Sequence, residues 1–186
     1  MNNKIVELIN SLVLDNQKIV IAIEGPCTSG KTTFSEEIVQ KFDCNIIHID
    51  DFFLPFERKT TERLSEPGGN IDYERFFVEV AENLKSDAPF TYGKFSCSDG
   101  KVTEQIEMMP KPLTIVEGVY SMHPYFGDIY DYKIFLNISE ETKIRRLKIR
   151  SPEKLDRFIN EWIPMENKYF DEYKIKEKCD IIIDNN

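Results

Sequence analysis

The sequence lacks an excess of basic residues, clustered cysteines and long apolar runs. Its 24 Lys and Arg residues are outnumbered by 33 Asp and Glu residues, which gives a formal net charge of -9. Nucleic acids and acidic membranes are bound by excess Lys and Arg, so we expect neither as a partner. No apolar run approaches the length of a membrane span, and the four cysteines show no C-x-x-C spacing. We therefore expect a soluble cytoplasmic protein with reduced thiols.

The 186 residues fit a single domain, residues 1–186, in which apolar runs alternate with helical patterns. The runs predicted to be buried strands are residues 18–24, 46–49, 113–117, 132–138 and 180–184. Helices are predicted at residues 3–14, 34–42, 72–85, 142–150 and 152–173, the last bent or interrupted at Pro164. Each crossover must return across a sheet face, so the alternation predicts an α/β fold with a parallel sheet covered on both sides. Asp99-Gly100 predicts a hairpin turn, and residues 57–73 predict a mobile loop. Whether the chain forms a homo-oligomer stays open.

Residues 25–33 carry the clearest motif. Gly25, Gly30, Lys31 and Thr32 match G-x-x-x-x-G-K-[ST] between an apolar run and a helical pattern. A loop of this kind points backbone N–H groups at a polyphosphate, and the following helix adds its positive end. Lys31 would reach the terminal phosphates and Thr32 would bind Mg²⁺, so ATP or another nucleoside triphosphate is the expected ligand. The expected nucleotide-binding residues are Gly25, Pro26, Cys27, Thr28, Ser29, Gly30, Lys31, Thr32 and Thr33.

The motifs of a GTPase are missing. No glycine has an aspartate three positions before it, and the Asn-Lys pair at 167–168 lacks the aspartate that N-K-x-D requires. A motor ATPase usually needs a longer chain and arginines from a partner. A small-molecule kinase is therefore the favoured interpretation. The alternative from a different functional class is a regulatory module that binds a nucleotide without turnover.

Carboxylates end two of the predicted strands. Asp50 and Asp51 follow one strand, and Glu117 ends another. Ligands gather at the carboxyl ends of strands in open α/β sheets. A neutral hydroxyl acceptor needs a carboxylate to orient it and to accept its proton. Asp50 fits this role, with Asp51 as the competing choice.

Over most of its length the chain resembles the uridine kinase and phosphoribulokinase-like P-loop kinases, which include nicotinamide riboside kinases. The segments that carry the resemblance are EGPCTSGKTT, HIDDFFLP, GGNIDYERF, TYGKF, IVEGVY, RRLKIR and IPMENKYF. The resemblance implies the P-loop kinase fold, a five-stranded parallel sheet flanked by helices. It also implies a small hairpin over the acceptor site, about residues 89–109, and an arginine-bearing helical lid, about residues 145–160.

The same resemblance assigns roles to individual residues. Asp50 would be the base, and Asp72, Tyr92, Phe53 and Glu117 would bind the acceptor. The implied metal ligands are Thr32, Glu117 and Asp50, and the implied lid arginines are Arg146 and Arg150, with Arg145 or Arg157.

The acceptor implied by the family is a nucleoside such as uridine or cytidine. The sequence differs from the uridine kinase pattern at Gly93, where an aspartate usually follows the pocket tyrosine. Cys97 lies about where a histidine reads the pyrimidine. Another metabolite, such as nicotinamide riboside or pantothenate, therefore stays an alternative acceptor.

Overall fold

A computed structural model describes residues 3–14 and 18–186 of the chain. The helices in this part are α1 Asn3–Leu14, α2 Lys31–Val39, α3 Thr61–Ser65, α4 Tyr73–Phe76, α5 Glu140–Arg150, α6 Leu155–Arg157 and α7 Ile163–Tyr173. The strands are β1 Ile19–Glu24, β2 Cys44–His48, β3 Phe90–Ser96, β4 Lys101–Met108, β5 Leu113–Glu117, β6 Tyr132–Asn137 and β7 Ile181–Asp184. Every helix in these ranges is too short or too polar to cross a bilayer.

Five strands form one sheet in the order β2-β5-β1-β6-β7, and all of its pairings are parallel. Strand β1 lies in the middle, between β5 and β6. This confirms the predicted five-stranded parallel sheet flanked by helices, and every predicted strand lies within about a residue or two of its observed position.

Both faces of the sheet are covered, which explains why its central strands are continuously apolar. Side chains alternate between the faces along β1. Val20 and Ala22 face a core that contains Phe76 and Tyr169. Their neighbours, including Ile21, face a second core to which α1 and α2 contribute.

The carboxyl ends of β1, β2 and β5 lie along one edge of the sheet. The phosphate loop follows β1, a 3-10 helix Ile49–Phe52 follows β2, and β5 ends at Glu117. Glu117 of β5 pairs with Ile23 of β1 on one side and with His48 of β2 on the other. Because the three strands are parallel and end at the same level, the phosphate loop and the acidic residues lie at the same edge of the sheet.

The predicted hairpin is present as the antiparallel pair β3–β4, with a bulge between Lys94 and Phe95. It packs on the 3-10 helix through the rings of Tyr92 and Phe52, whose centroids are 5.2 Å apart. The hairpin therefore lies beside Asp50 and Asp51, which belong to that helix.

Residues 57–73, predicted to be a mobile loop, are tied down by backbone hydrogen bonds. The segment contains α3, and Phe53 pairs with Ile71 in an antiparallel bridge. Asp72 N–H donates to the carbonyl of Phe52 at 2.7 Å. The polar composition that predicted a loop instead supplies caps and turns.

Two predicted long helices are divided. The first consists of α4 followed by a π-helix, Phe77–Ala81. The second begins as a 3-10 turn and continues through α6, a π-helix Phe158–Trp162 and α7. Pro164 lies in the first turn of α7. Trp162 and Ile163 both have helical backbone angles, so the bend or interruption predicted at Pro164 corresponds only to the change from π-helix to α-helix at Ile163.

Candidate active site

The phosphate loop depends on two glycines. Gly25 has φ +146°, and a Cβ there would lie 2.4 Å from the carbonyl oxygen of Leu136. Gly30 has φ +92° and caps the N-terminus of α2 without a side-chain hydrogen bond. The first amides of α2 therefore have no capping side chain, which is the condition for binding an anion there.

Lys31 is buried inside this loop. Its ammonium group donates to the carbonyl oxygens of Gly25 at 2.8 Å and Pro26 at 2.9 Å. The positive charge is thus held against the loop that the sequence predicted to bind phosphates.

Two hydroxyl groups of the loop are buried and have no hydrogen-bond partner among the described residues. They are Thr28 Oγ1 and Ser29 Oγ. Buried polar atoms are nearly always paired, so two unpaired hydroxyl groups in one short loop are an exception that a bound ligand would explain. A cavity of about 920 Å³ opens beside the loop. Its lining includes Thr28, Gly30, Lys31, Thr32, Thr33, Arg146, Arg150 and Asn185.

Arg146 reaches the phosphate loop from α5. Its guanidinium donates to the carbonyl oxygens of Thr28 at 3.0 Å and Asn185 at 2.9 Å. Asn185 in turn donates its side-chain amide to the carbonyl of Ser29 at 2.7 Å. Arg146 therefore clamps the outside of the loop, and Arg150 lines the same cavity.

The other two arginines contact their own helical segments. Arg145 donates to the Thr142 hydroxyl at 3.4 Å. Arg157 pairs with Glu161 at 3.2 Å and lies over the ring of Trp162. Of the four arginines named from the sequence, Arg146 contacts the loop and Arg150 lines the cavity beside it.

Glu117 connects the end of β5 to the loop and to β2. Its Oε1 accepts a hydrogen bond from the Thr32 hydroxyl at 3.1 Å and lies 2.6 Å from His48 Nδ1. The hydrogen bond to Glu117 raises the pKa of His48 above its ordinary value. Sequence reasoning missed His48, because a lone histidine within a strand usually serves the structure alone.

Asp50 and Asp51 have different surroundings. Asp50 is exposed to solvent, while Asp51 is buried. Crowding by protein atoms raises the pKa of Asp50, the charge of Glu117 adds to this increase, and the charge of Lys31 opposes it. Asp51 accepts a hydrogen bond from the Tyr92 hydroxyl at 3.2 Å, and burial raises its pKa. Asp50 is thus the aspartate that remains open beside Lys31.

Asp72 lies buried at the N-terminus of α4. Its Oδ1 accepts from the backbone N–H of Arg75 at 3.3 Å and pairs with Arg58 at 2.8 Å. Arg75 also donates to the carbonyl oxygens of Asp51 at 2.7 Å and of Gly93 in the hairpin. Asp72 is therefore joined through Arg75 to the segment that carries Asp51.

Tyr92 and Phe53 are the two aromatic residues predicted to line the acceptor site. Tyr92 is buried and points its hydroxyl at Asp51. Phe53 is half-buried and meets Phe95 of the hairpin edge-on, at 6.4 Å between ring centroids. Both aromatic side chains thus lie between the 3-10 helix and the hairpin.

Two buried glutamates near the loop were missed by sequence reasoning. Glu166 on α7 accepts the backbone N–H of Cys27 at 2.9 Å. Burial, together with the charge of Glu166, raises the pKa of the Cys27 thiol to about 12. Glu24 ends the otherwise apolar β1, and burial raises its pKa to about 7. A charged residue closing an apolar run was the one sequence signal for Glu24.

The oxygen atoms of Thr32 and Glu117 are the candidate ligands for a metal ion beside the loop. The described part of the chain has no group of three or more His, Cys, Asp and Glu residues that could hold a metal. Mg²⁺ keeps several waters and commonly takes only one or two protein oxygens plus substrate phosphates. The hydroxyl of Thr32 and the carboxylate of Glu117, 3.1 Å apart, fit that requirement.

The sequence and fold resemble those of known kinases. The sequence is 28% identical over 184 residues to the uridine kinase of Staphylococcus aureus strain JH9, covering 88% of this chain and 86% of that one. Over most of its length the chain is therefore similar to uridine kinases. No protein-family model matches the sequence.

Solved structures share the fold of this kinase. One is described as a "Possible Uridine Kinase" from Bacillus stearothermophilus, with a TM-score of 0.69, 18% identity, and coverage of 97% of this chain and 100% of that one. Another is the D-glycerate 3-kinase of Cryptococcus neoformans, with a TM-score of 0.57, 14% identity, and 89% of each chain covered. These structures show the fold, and the sequence similarity to the Staphylococcus aureus uridine kinase identifies the chain as a phosphotransferase with a nucleotide donor and a hydroxyl acceptor.

Proposed function

We propose that this kinase transfers the γ-phosphoryl group of ATP, with Mg²⁺, to a hydroxyl group of a small molecule. The observation that carries the proposal is the meeting of four groups at one sheet edge. Lys31 and Thr32 come from the loop after β1, Asp50 from the segment after β2, and Glu117 from β5. The loop from Gly25 to Thr33 would hold the triphosphate, and Lys31 would turn from its carbonyl partners toward the phosphates.

Thr32 and Glu117 would hold Mg²⁺, with Asp50 as a further oxygen donor. When bound, the ion neutralises charge on the phosphates and orients them. The present bond between Thr32 and Glu117 supports this assignment, since it places a hydroxyl and a carboxylate side by side.

Asp50 is proposed as the base that orients the acceptor hydroxyl and accepts its proton. Desolvation by surrounding protein atoms raises the pKa of both aspartates, but Asp50 is exposed to solvent, whereas Asp51 is buried and its carboxylate accepts a hydrogen bond from Tyr92, so Asp50 suits a proton acceptor better. The raised pKa brings Asp50 closer to neutral pH, where a base transfers protons most effectively.

The acceptor is proposed to lie between the 3-10 helix, α4 and the hairpin. Asp72, Phe53 and Tyr92 would bind the acceptor there, together with Glu117 at the end of β5. Uridine or cytidine is the first acceptor to test, because the Staphylococcus aureus relative is a uridine kinase. Nicotinamide riboside and pantothenate follow, since Gly93 stands where an aspartate usually follows the pocket tyrosine of uridine kinases, and Cys97 lies about where their histidine reads the pyrimidine.

The lid is proposed to include Arg146 and Arg150, which already line the cavity beside the loop. They would supply positive charge to the triphosphate. The lid would belong to the same single domain, residues 1–186, as the phosphate loop. The protein would work in the cytoplasm, where its cysteines stay reduced.

The experiment is a coupled assay of ADP release with a panel of hydroxyl acceptors. Stimulation by one acceptor, together with a phosphorylated product in a mass spectrum, supports the proposal. Tight ATP binding with no stimulated turnover across the panel would instead favour a regulatory module without catalysis.

A further inference from the structure

Glu24 is the last residue of β1 and lies wholly inside the protein. Its carboxylate accepts five hydrogen bonds. Oε1 accepts from the backbone N–H groups of Gly25 at 2.9 Å and Tyr120 at 3.2 Å. Oε2 accepts from the hydroxyl groups of Ser121 at 3.3 Å and Tyr169 at 3.0 Å, and from the N–H of Met122 at 3.2 Å.

These donors belong to three separate parts of the chain. Gly25 begins the phosphate loop, residues 120–122 follow Glu117, and Tyr169 lies on α7. All five are N–H or O–H groups that point at one carboxylate. An ionised carboxylate accepts at both oxygens, whereas an amide of the same shape would turn an NH₂ group toward N–H donors. The charge of Glu24 is therefore required by its surroundings.

The bonded groups lead directly to the site. The carbonyl of Gly25 accepts from Lys31, so the residue held by Glu24 also holds Lys31 in the position from which it would turn to the phosphates. On the other side, Tyr120 lies three positions after Glu117 and has φ +79°, a conformation that costs free energy for a residue with a side chain. Its N–H bond to Glu24 helps to maintain that backbone. Glu24 thus lies between the donor loop and the segment that carries Glu117.

We propose that Glu24 is a positioning residue, whose ionised carboxylate fixes the phosphate loop relative to the segment after Glu117. Lys31 and Glu117 then face the same phosphates. Glu24 does not touch substrate. The proposal rests on the proposed function, because its main readout is the rate of phosphoryl transfer.

Protonation of Glu24 would place an O–H among N–H donors and remove an acceptor, so the arrangement weakens on acidification. Burial raises the pKa of Glu24 to about 7, against the opposing hydrogen bonds and the charge of Lys31. The titratable groups that face Glu24 are Lys31 on α2, Tyr120 after β5, Tyr130 before β6, Tyr169 on α7 and Cys179 before β7. Burial raises the pKa of each of the tyrosines and of Cys179 further above neutrality, which leaves Glu24 to titrate near pH 7.

The test compares Glu24→Gln and Glu24→Asp with the wild type and with Tyr130→Phe. Tyr130 is buried nearby and donates its hydroxyl to the carbonyl of Ser121, without a bond to Glu24. We expect Glu24→Gln to lower kcat by about ten- to a hundredfold, because small displacements of positioned groups have effects of this size. ATP binding should weaken as well, and the acidic limb of the pH–rate profile near pH 7 should disappear. Glu24→Asp should recover part of the rate, and Tyr130→Phe should lose stability while kcat is retained.

A Glu24→Gln enzyme that stays folded, with wild-type kcat and a wild-type pH profile, would overturn the proposal and leave Glu24 a purely structural residue. If the wild type itself turns over no acceptor, the proposed function fails instead. The positioning role is then decided by ATP titration: equal ATP affinity in wild type and Glu24→Gln rejects it, and weaker binding in Glu24→Gln but not in Tyr130→Phe supports it.

Discussion

The hydroxyl of Thr32 donates to the carboxylate of Glu117 at 3.1 Å, across 85 positions of the sequence. The first residue belongs to the phosphate loop and the second ends β5. The same carboxylate lies 2.6 Å from His48 at the end of β2. Three neighbouring strands are thus joined at their carboxyl ends by these side chains, which brings the loop and the acidic residues to one place.

Replacement of Lys31 tests the phosphate loop. Lys31→Ala should lower kcat/KM by at least about a hundredfold, because a positioned cation that neutralises charge in the transition state contributes several kcal/mol. Lys41→Ala is the matched control, since Lys41 is an exposed lysine just beyond α2. ADP release and circular dichroism measure rate and fold. Equal rates in the two variants would remove Lys31 from the mechanism.

The two aspartates after β2 can be separated by a pair of amide substitutions. Asp50→Asn should retain ATP affinity and lower the transfer rate by about a hundredfold or more, because the amide cannot accept the hydroxyl proton. Asp51→Asn should affect the rate less, since Asp51 bonds to Tyr92 in the interior. Single-turnover measurements with ATP titrations decide between them. The reverse order of rates would move the base to Asp51.

Arg146 and Arg145 are adjacent on α5 but make different contacts, which provides a matched test of the clamp. Arg146→Ala should weaken ATP binding by about tenfold, because it loses two charge-assisted hydrogen bonds that hold the loop and Asn185. Arg145→Ala should leave ATP affinity almost unchanged, since Arg145 bonds within its own helix. Calorimetric titration with ATP measures both, and similar losses of affinity would contradict the clamp.

His123 should make the protein less stable in acid. Burial lowers the pKa of His123 from 6.5 to about 4, so the unfolded chain binds a proton in this interval that the folded protein does not. Stability is therefore retained above pH 6.5 and lost as the pH falls toward 4, by at most about 3 kcal/mol. Urea unfolding at several pH values should show a shallower acid loss for His123→Phe.

His48 provides the contrast, because its hydrogen bond to Glu117 raises its pKa. A raised pKa stabilises the folded protein below the unfolded value and loses that effect as the pH rises. His48→Gln should therefore steepen the acid loss. For His123→Phe, a free energy of unfolding that falls with decreasing pH as steeply as in the wild type would show that groups other than His123 control the acid sensitivity.

The sheet and the phosphate loop could be predicted because local signals and tertiary structure agree there. Buried strands appear in the sequence as short apolar runs. Gly25 and Gly30 of the loop have positive φ angles, a local backbone requirement that favours glycine. Asp50, Asp51 and Glu117 could be placed together because parallel strands end at one edge. The π-helices could not be predicted, since they arise from local changes in helical hydrogen bonding that the apolar pattern does not encode.

The supporting contacts were harder to predict because they depend on residues distant in the sequence. Glu24 meets Tyr169 on α7, and Glu166 meets Cys27, only after the chain has folded. Arg58 and Arg75 around Asp72 likewise look like ordinary surface charges in the sequence. Their partners are defined by packing of the hairpin and α4, which the hydrophobic pattern does not specify.

The central position of β1 has a consequence for the order in which the protein is made. The loop after β1 leaves the ribosome early, but Gly25 lies against Leu136 and Ser29 is bonded by Asn185. Neither neighbour exists while the N-terminal half is being translated. For most of translation, the nascent chain therefore contains the nucleotide-binding motif without the residues that pack against it. Only a chain translated through Asn185 can form the complete pocket.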